Sequence, residues 1–302
     1  MRRNWDRIKP ELQKILLAGD YTFQPLAELR LTDEIIEMWS ACDALVLKAL
    51  AMVLSKHLEP LLSGRCYHVA GRGGAKAAVR AALEASSGDV HLMKSDIKDY
   101  YASMDHIVLF ELMERQVTDR MVLRLVWGYL KRTVCFGENY REVTRGISLG
   151  CPLSPLMGAL YLLPLDEAMH QSGWFYARFM DDWIIITSGR WKLRQAVRCV
   201  NQLLSVLRVE KHPDKTFIGK ACRGFDFLGY YFLSGTISVS RPALRRFAER
   251  ITRLYEQGAD TIRVGQYVRR WWQWVRAGLT DTVVCPLAPD FQMYTPRRAA
   301  FA

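Results

Sequence analysis

Residues 174–187, WFYARFMDDWIIIT, set two adjacent carboxylates, Asp181 and Asp182, between two apolar runs. Phe175, Tyr176, Phe179 and Met180 lead in, and Trp183, Ile184, Ile185 and Ile186 lead out. Flanks so rich in aromatic and β-branched residues predict a strand, a tight turn and a second strand, with both carboxylates at the tip. Like charges that close repel each other. A divalent cation relieves the repulsion, and oxygen-only ligands suit Mg²⁺ or Mn²⁺. The plain alternative is an acidic turn with no chemistry, since Asp is common in turns.

The rest of the chain bears on that choice. Of 302 residues, 50% are hydrophobic, enough for one large or two ordinary domains with a substantial core. The net charge of +11 points to a polyanionic partner, nucleic acid before membrane. No apolar run approaches the ~18 residues of a membrane span, and the charged N-terminus MRRNWDRIKPELQK has no signal-peptide core. Seven scattered cysteines without CxxC spacing indicate neither zinc nor a disulfide framework, so a reducing, cytoplasmic setting is expected.

Periodicity predicts a helix over 5–17 closed by Gly19, a short extended piece in GDYTFQPLAEL, and a helix over 32–63 with Asp33 placed to cap it. A glycine-rich loop then enters a helix within 68–85, and a strand over 88–97 ends at Asp96. Residues 105–133 read as helix, 135–145 as a small hairpin around Gly137, and 190–208 as an amphipathic helix. A loop turns into helix at Pro152 or Pro155, 224–240 reads as a strand pair turning at Gly235, and basic helices follow from about Ser240. Helices mixed with antiparallel hairpins favour α+β over a doubly wound sheet. Asp96 matters most here, because two cations ~3.5–4 Å apart need bridging carboxylates from separate elements.

Four segments, MKSDIKDYYASMDH, GISLGCPLSPLMGALYL, RFMDDWIIIT and HPDKTFIGKACRGFDFLGYY, occur in the order of the blocks of reverse transcriptases. Over most of residues 19–235 the chain resembles bacterial reverse transcriptases of the group II intron-like or retron-like kind. The resemblance implies a right-hand polymerase with an antiparallel-sheet palm and helical fingers and thumb. It places the N-terminal part of the fingers in 1–95, the palm with the remaining fingers elements in 96–237, and a basic helical thumb with a C-terminal tail in 238–302. It implies addition of dNTPs to a DNA or RNA primer 3′-hydroxyl on an RNA template, with two Mg²⁺ ions for which Mn²⁺ can substitute.

By the same resemblance Asp96 and Asp181 bridge the metals, Asp182 is the third carboxylate, and Ile97 belongs to the metal set beside Asp96. Phe179 stands where the YxDD motif has Tyr, keeping the aromatic bulk without the hydroxyl. Tyr101, five residues after Asp96, corresponds to the steric gate that rejects a ribose 2′-hydroxyl. Gly150 lies in the loop that packs on the nascent base pair, where Leu149 replaces a frequent Gln. Lys215 matches a lysine near the incoming triphosphate, and Gly229 lies in the primer-grip segment. The fingers match least, so Arg30, Arg72 and Lys76 are the candidates to hold triphosphate or template. GRGGAK lacks P-loop spacing.

Residues 241–276 carry nine arginines against three acidic residues. Leu244, Phe247, Ile251, Leu254 and Tyr255 share one helical face and Arg245, Arg246, Arg250 and Arg253 the other, as a thumb gripping duplex phosphates requires. Trp271, Trp272 and Trp274 read as thumb core. Few residues follow, so a stand-alone polymerase is expected rather than a mobile intron protein with endonuclease domains. The chain lacks the NAxxH and VTG elements of retron enzymes and the SQ of diversity-generating ones. What remains is an intron-like enzyme working with a cognate non-coding RNA, with anti-phage defence as the role left by elimination. Two rivals stay open: a non-catalytic, maturase-like RNA-binding scaffold, and an RNA-dependent RNA polymerase.

Overall fold

The expected hairpin forms the middle of the molecule. In the computed structural model, which describes residues 4–31 and 34–278, strands β6 (Phe175–Phe179) and β7 (Asp182–Thr187) pair antiparallel, with Phe179 opposite Asp182. They join β3 (His91–Ser95) and β8 (Phe217–Lys220) in a sheet of order β6-β7-β3-β8, every neighbour antiparallel. Side chains alternate across such a sheet. Met93, Trp183 and Ile185 face one core, shared with Leu193, Ala196 and Val200 of α9 (Arg190–Val206). Leu92, Ala177, Ile184 and Ile186 face another, shared with Ala78, Val79 and Ala82 of α3 (Gly74–Ala85). Burial on both faces is why β7 reads as a continuous apolar run.

The larger core is completed by α2 (Ala41–Leu58), α5 (His106–Glu114), α6 (Arg120–Leu130), α7 (Ser154–Tyr161) and α8 (Leu163–Ser172). The short helix α4 (Tyr100–Ser103) follows Asp96 closely. At the N-terminus α1 (Trp5–Ala18) ends at Gly19 in the left-handed conformation, as expected. A second sheet of order β2-β1-β4-β5 is built from β1 (Leu26–Leu31), β2 (Glu34–Met38), β4 (Thr133–Phe136) and β5 (Asn139–Glu142).

Three sequence expectations change. The helix over 32–63 begins only at Ala41, where Ser40 accepts from the Asp43 N–H, because Glu34–Met38 pairs with residues 27–31 of β1 instead. The helix over 105–133 is two helices, α6 starting afresh where the Asp119 carboxylate accepts from Met121 and Val122 N–H. Residues 224–240 hold three strands, β9 (Phe225–Phe227), β10 (Tyr230–Leu233) and β11 (Thr236–Val239), with left-handed glycines at both turns, Gly229 and Gly235. Phe225 stacks on Phe232 across this sheet at 4.7 Å between centroids.

Helices α10 (Arg241–Glu256) and α11 (Thr261–Gly278) follow this sheet and are joined by Phe247 stacked on Trp271 at 3.9 Å. Asp33, the side chain of Arg30, Cys285 and the tail of the expected thumb lie outside the described residues.

Candidate active site

Strand pairing brings the three carboxylates together. Ser95 is in register with Trp183, so Asp96, the next residue, leaves β3 beside Asp182 and the turn. The segment is pinned from the other side: His212 N–H donates to the Asp96 carbonyl at 2.9 Å and Lys98 N–H to the Glu210 carbonyl at 2.9 Å. Ile97 between them is buried, leaving only its backbone for ligation. Asp96 is itself buried, with Oδ2 accepting from Lys215 Nζ at 2.5 Å and Oδ1 without any partner. Burial, reinforced by Asp181 and Asp96, pushes the Asp182 carboxyl up to about 6. Burial likewise raises Asp181, with Asp96 adding to it.

An orphaned buried carboxylate oxygen next to two carboxyls that resist ionisation is a donor set suited to a hard divalent cation. Among the described residues no group of three or more His, Cys, Asp or Glu is placed to hold a metal ion as the side chains lie. Asp96 instead turns to the Lys215 ammonium, whose pKa that hydrogen bond raises.

What holds the turn was not legible. Met180 adopts a left-handed φ of 58°. Its carbonyl accepts from Arg178 at 2.9 Å, and its N–H donates to His68 Nδ1 at 3.0 Å. Arg178 is fully buried and forks onto Asp166 of α8, Nε to Oδ1 at 2.8 Å and the second nitrogen to Oδ2 at 2.5 Å. Tyr176 donates to the same Asp166 Oδ1 at 2.8 Å. Burial first, then Arg178, pushes His68 down to about 4, so it stays neutral and able to accept. The available signals were an arginine inside the apolar strand FYARF and an aspartate inside LPLDEAM.

Tyr101 stands at the turn. Its ring lies 5.6 Å from Tyr100 in a stack, its hydroxyl is 3.8 Å from Met180 Sδ, and burial, with Asp181 adding, pushes the phenol up to about 12. Tyr100 in turn donates to the Gly158 carbonyl at 2.5 Å. A Cβ at Gly158 would meet Tyr101 Cε1 at 3.1 Å, so a methyl group there would nudge the ring. The GISLG loop is tied to α4, Ile147 N–H donating to the Tyr101 carbonyl at 2.8 Å. Gly150 in that loop has φ +77° and open space around it, beside the exposed Leu149.

The remaining candidates lie further off. Arg72 donates to the carbonyls of Ser63 and Glu59, closing the loop after α2. Lys76 of α3 sits against the stacked rings of Trp274 and Tyr230, 3.8 Å and 4.5 Å from their centroids, and donates to the Trp274 carbonyl at 2.7 Å. Gly229 lies under the same indole, so a Cβ would meet Trp274 Cη2 at 2.7 Å. Trp271 and Trp272 pack in the α10–α11 core as expected, while Trp274 points away to this contact. Arg245, Arg246, Arg250 and Arg253 are all exposed on α10.

Fold and carboxylate turn together point to one protein family. The family model described as "Reverse transcriptase (RNA-dependent DNA polymerase)" matches residues 38–232, and the chain belongs to that family. It is similar to Protein YkfC of Escherichia coli K12, 24% identical with 46% of each chain covered. It is also similar to the group II intron-encoded protein LtrA of Lactococcus lactis subsp. cremoris, 24% identical over 43% of this chain and 22% of LtrA. The match thus spans less than half the length of either relative. Among solved structures, telomerase from Candida albicans in complex with a fragment of telomeric RNA superposes with a TM-score of 0.52 and 12% identity. That match covers 66% of this chain and 38% of the telomerase chain, and shows the shared fold.

Proposed function

We propose that the protein is an RNA-directed DNA polymerase, adding dNTPs to a primer 3′-hydroxyl on an RNA template. The observation that carries this is Asp96 emerging beside the Asp181–Asp182 turn, with a buried Oδ1 that no protein group satisfies. Asp96, Asp181 and Asp182 are the residues to hold two divalent cations, Mg²⁺ or in its place Mn²⁺, with the Ile97 backbone beside them. When bound, such ions lower the pKa of the attacking hydroxyl and neutralise the leaving pyrophosphate.

The chain's own residues do the rest. Arg178 and His68 fix both backbone groups of Met180, so the carboxylates are presented without rearrangement. Tyr101, stacked on Tyr100 and backed by Gly158, is the residue to exclude a ribose 2′-hydroxyl. Lys215 is 58% exposed on a flexible stem and is placed to leave Asp96 for the triphosphate, neutralising or protonating pyrophosphate as it departs. In this reading residues 1–95 form the N-terminal part of the fingers, apart from β3, which joins the palm sheet; 96–237 form the palm with the remaining fingers elements β4 and β5, and 238–302 the thumb and tail. Gly150 borders the template base pair and Gly229 the primer. Arg72 stiffens the template-side loop, and Arg245, Arg246, Arg250 and Arg253 grip duplex phosphates. The chain would act in the cytoplasm with a cognate non-coding RNA, in a role such as anti-phage defence. No helix among the described residues is long and apolar enough to cross a membrane.

The deciding experiment is primer extension on an RNA template by the purified protein and its Asp181→Ala variant. The variant should lose dNTP incorporation yet retain RNA binding; normal incorporation by it would overturn the assignment.

A further inference from the structure

At the far end of the central sheet from the carboxylates lies a second basic surface. His91 at the start of β3 is in register with Thr187 at the end of β7 and with Lys220 of β8. Five residues separate His91 from Asp96, about 16 Å along a strand. There the N-terminal half of α9 and the edge strand β8 enclose an open groove of about 1260 Å³. Arg190, Arg194, Arg198, Lys220 and Arg223 line it together with Trp191, and no lining residue is acidic.

Nothing in the fold accounts for this charge. Arg190, Arg194 and Arg198 recur every fourth residue along one stripe of α9, where like charges repel. Among the described residues none of these three, nor Arg223, has a carboxylate partner, and Lys220 alone is paired, with exposed Asp89 at 3.1 Å. Trp191 is 75% exposed, with the Arg194 guanidinium 4.9 Å over its ring. The helix starts here as well, and its N-cap Gly189 has no side chain to accept from the first-turn N–H groups, which adds positive potential. Cations lining a concave surface beside one exposed indole match a phosphodiester backbone with a base or sugar against the ring. A lipid surface would require a broad apolar face, and the only other exposed large apolar side chain lining the groove is Ile218.

We propose that this groove is a second nucleic-acid site, which grips an RNA arm outside the polymerase cleft. The choice of RNA over DNA rests on the polymerase reading; the groove's charge and shape do not. Its position would let one RNA be copied at one end of the sheet while a folded part of it, or a companion RNA, is anchored at the other.

The test is fluorescence anisotropy of a labelled, unprimed RNA hairpin on the full chain, with the cleft saturated by unlabelled poly(rA)/oligo(dT). The hairpin should still bind. The triple variant Arg190→Ala/Arg194→Ala/Arg198→Ala should weaken it at least tenfold and flatten its salt dependence by about two units of log–log slope. Trp191→Ala should weaken it several-fold. The triple variant should extend poly(rA)/oligo(dT) within twofold of the parent, which also shows that it is folded. Unchanged hairpin affinity in the triple variant, or full displacement by poly(rA)/oligo(dT), would overturn the second site. Equal binding of a DNA hairpin of the same sequence would overturn the RNA assignment, and equally variant-sensitive binding of phosphatidylserine vesicles would make the groove a membrane surface. Loss of extension by the parent would sink the polymerase reading alone, because the hairpin measurement needs no catalysis.

Discussion

The guanidinium of Arg178 is buried against the carboxylate of Asp166, and the same guanidinium holds the carbonyl of Met180 inside the carboxylate turn. One side chain therefore joins the core of α8 to the conformation that presents Asp181 and Asp182. A buried pair is costly to break on one side, since the remaining charge is stranded, whereas replacing both partners by apolar groups is often tolerated.

Asp166→Asn or Arg178→Met should therefore destabilise the fold by about 3–5 kcal/mol. The double variant Arg178→Met/Asp166→Leu should recover much of that in urea denaturation. It should stay poorly active in primer extension, because the Met180 carbonyl has lost its donor. Full activity in a stable double variant would show that the brace does not matter to the chemistry.

The pH dependence of stability should carry two opposed signatures. Asp182 titrates at about 6, above its ordinary 3.8, so between these values the folded state holds more protons than the unfolded chain and stability falls as pH rises. His68 titrates at about 4, below its ordinary 6.5, so its stabilisation is lost as pH falls through that window. In chelator, Asp182→Asn should raise Tm at pH 7.5 more than at pH 4.5, and His68→Gln should flatten the acid limb. Mg²⁺ should raise the Tm of the parent at pH 7.5 and do so less for Asp182→Asn. A lower Tm for Asp182→Asn in chelator at pH 7.5 would contradict the electrostatics described here.

Tyr101→Ala should permit NTP incorporation in competition with dNTP. Gly158→Ala tests the same gate from behind, since its Cβ would sit 3.1 Å from Tyr101 Cε1 and push the ring. It should change the dNTP/NTP ratio with little effect on Tm. If neither variant altered that ratio, Tyr101 would be packing rather than selecting.

Gly229→Ala should destabilise the contact between the three-stranded sheet and α11. The residue has φ +87° and its Cβ would lie 2.7 Å from Trp274, so a left-handed penalty of about 1–2 kcal/mol adds to displacement of the indole over Lys76. Paired with Trp274→Ala, the loss in Tm should be smaller than the sum of the single effects. Strict additivity would mean that the two residues do not meet.

The hairpin, Asp96 at a strand end and the two-faced helix α10 were legible because each is written in a short-range pattern: alternation, a turn residue, or a 3.6-residue repeat. The limits of that reading appear at Glu34–Met38, which looked helical until β1 offered a partner, and at 105–133, where only Asp119 marked the break. Lys76, a sequence candidate to hold triphosphate or template, is engaged by Trp274, 198 residues away. Local sequence thus marked which side chains are candidates for the chemistry and on which kind of element each would stand. Tertiary structure decided what surrounds them: Arg178 on Asp166, His68 under Met180, Gly158 behind Tyr101, and a groove of arginines at the opposite end of the sheet. The physical reason is that burial and the partner of a charge are properties of distant segments brought together, and desolvation gives those encounters their strength.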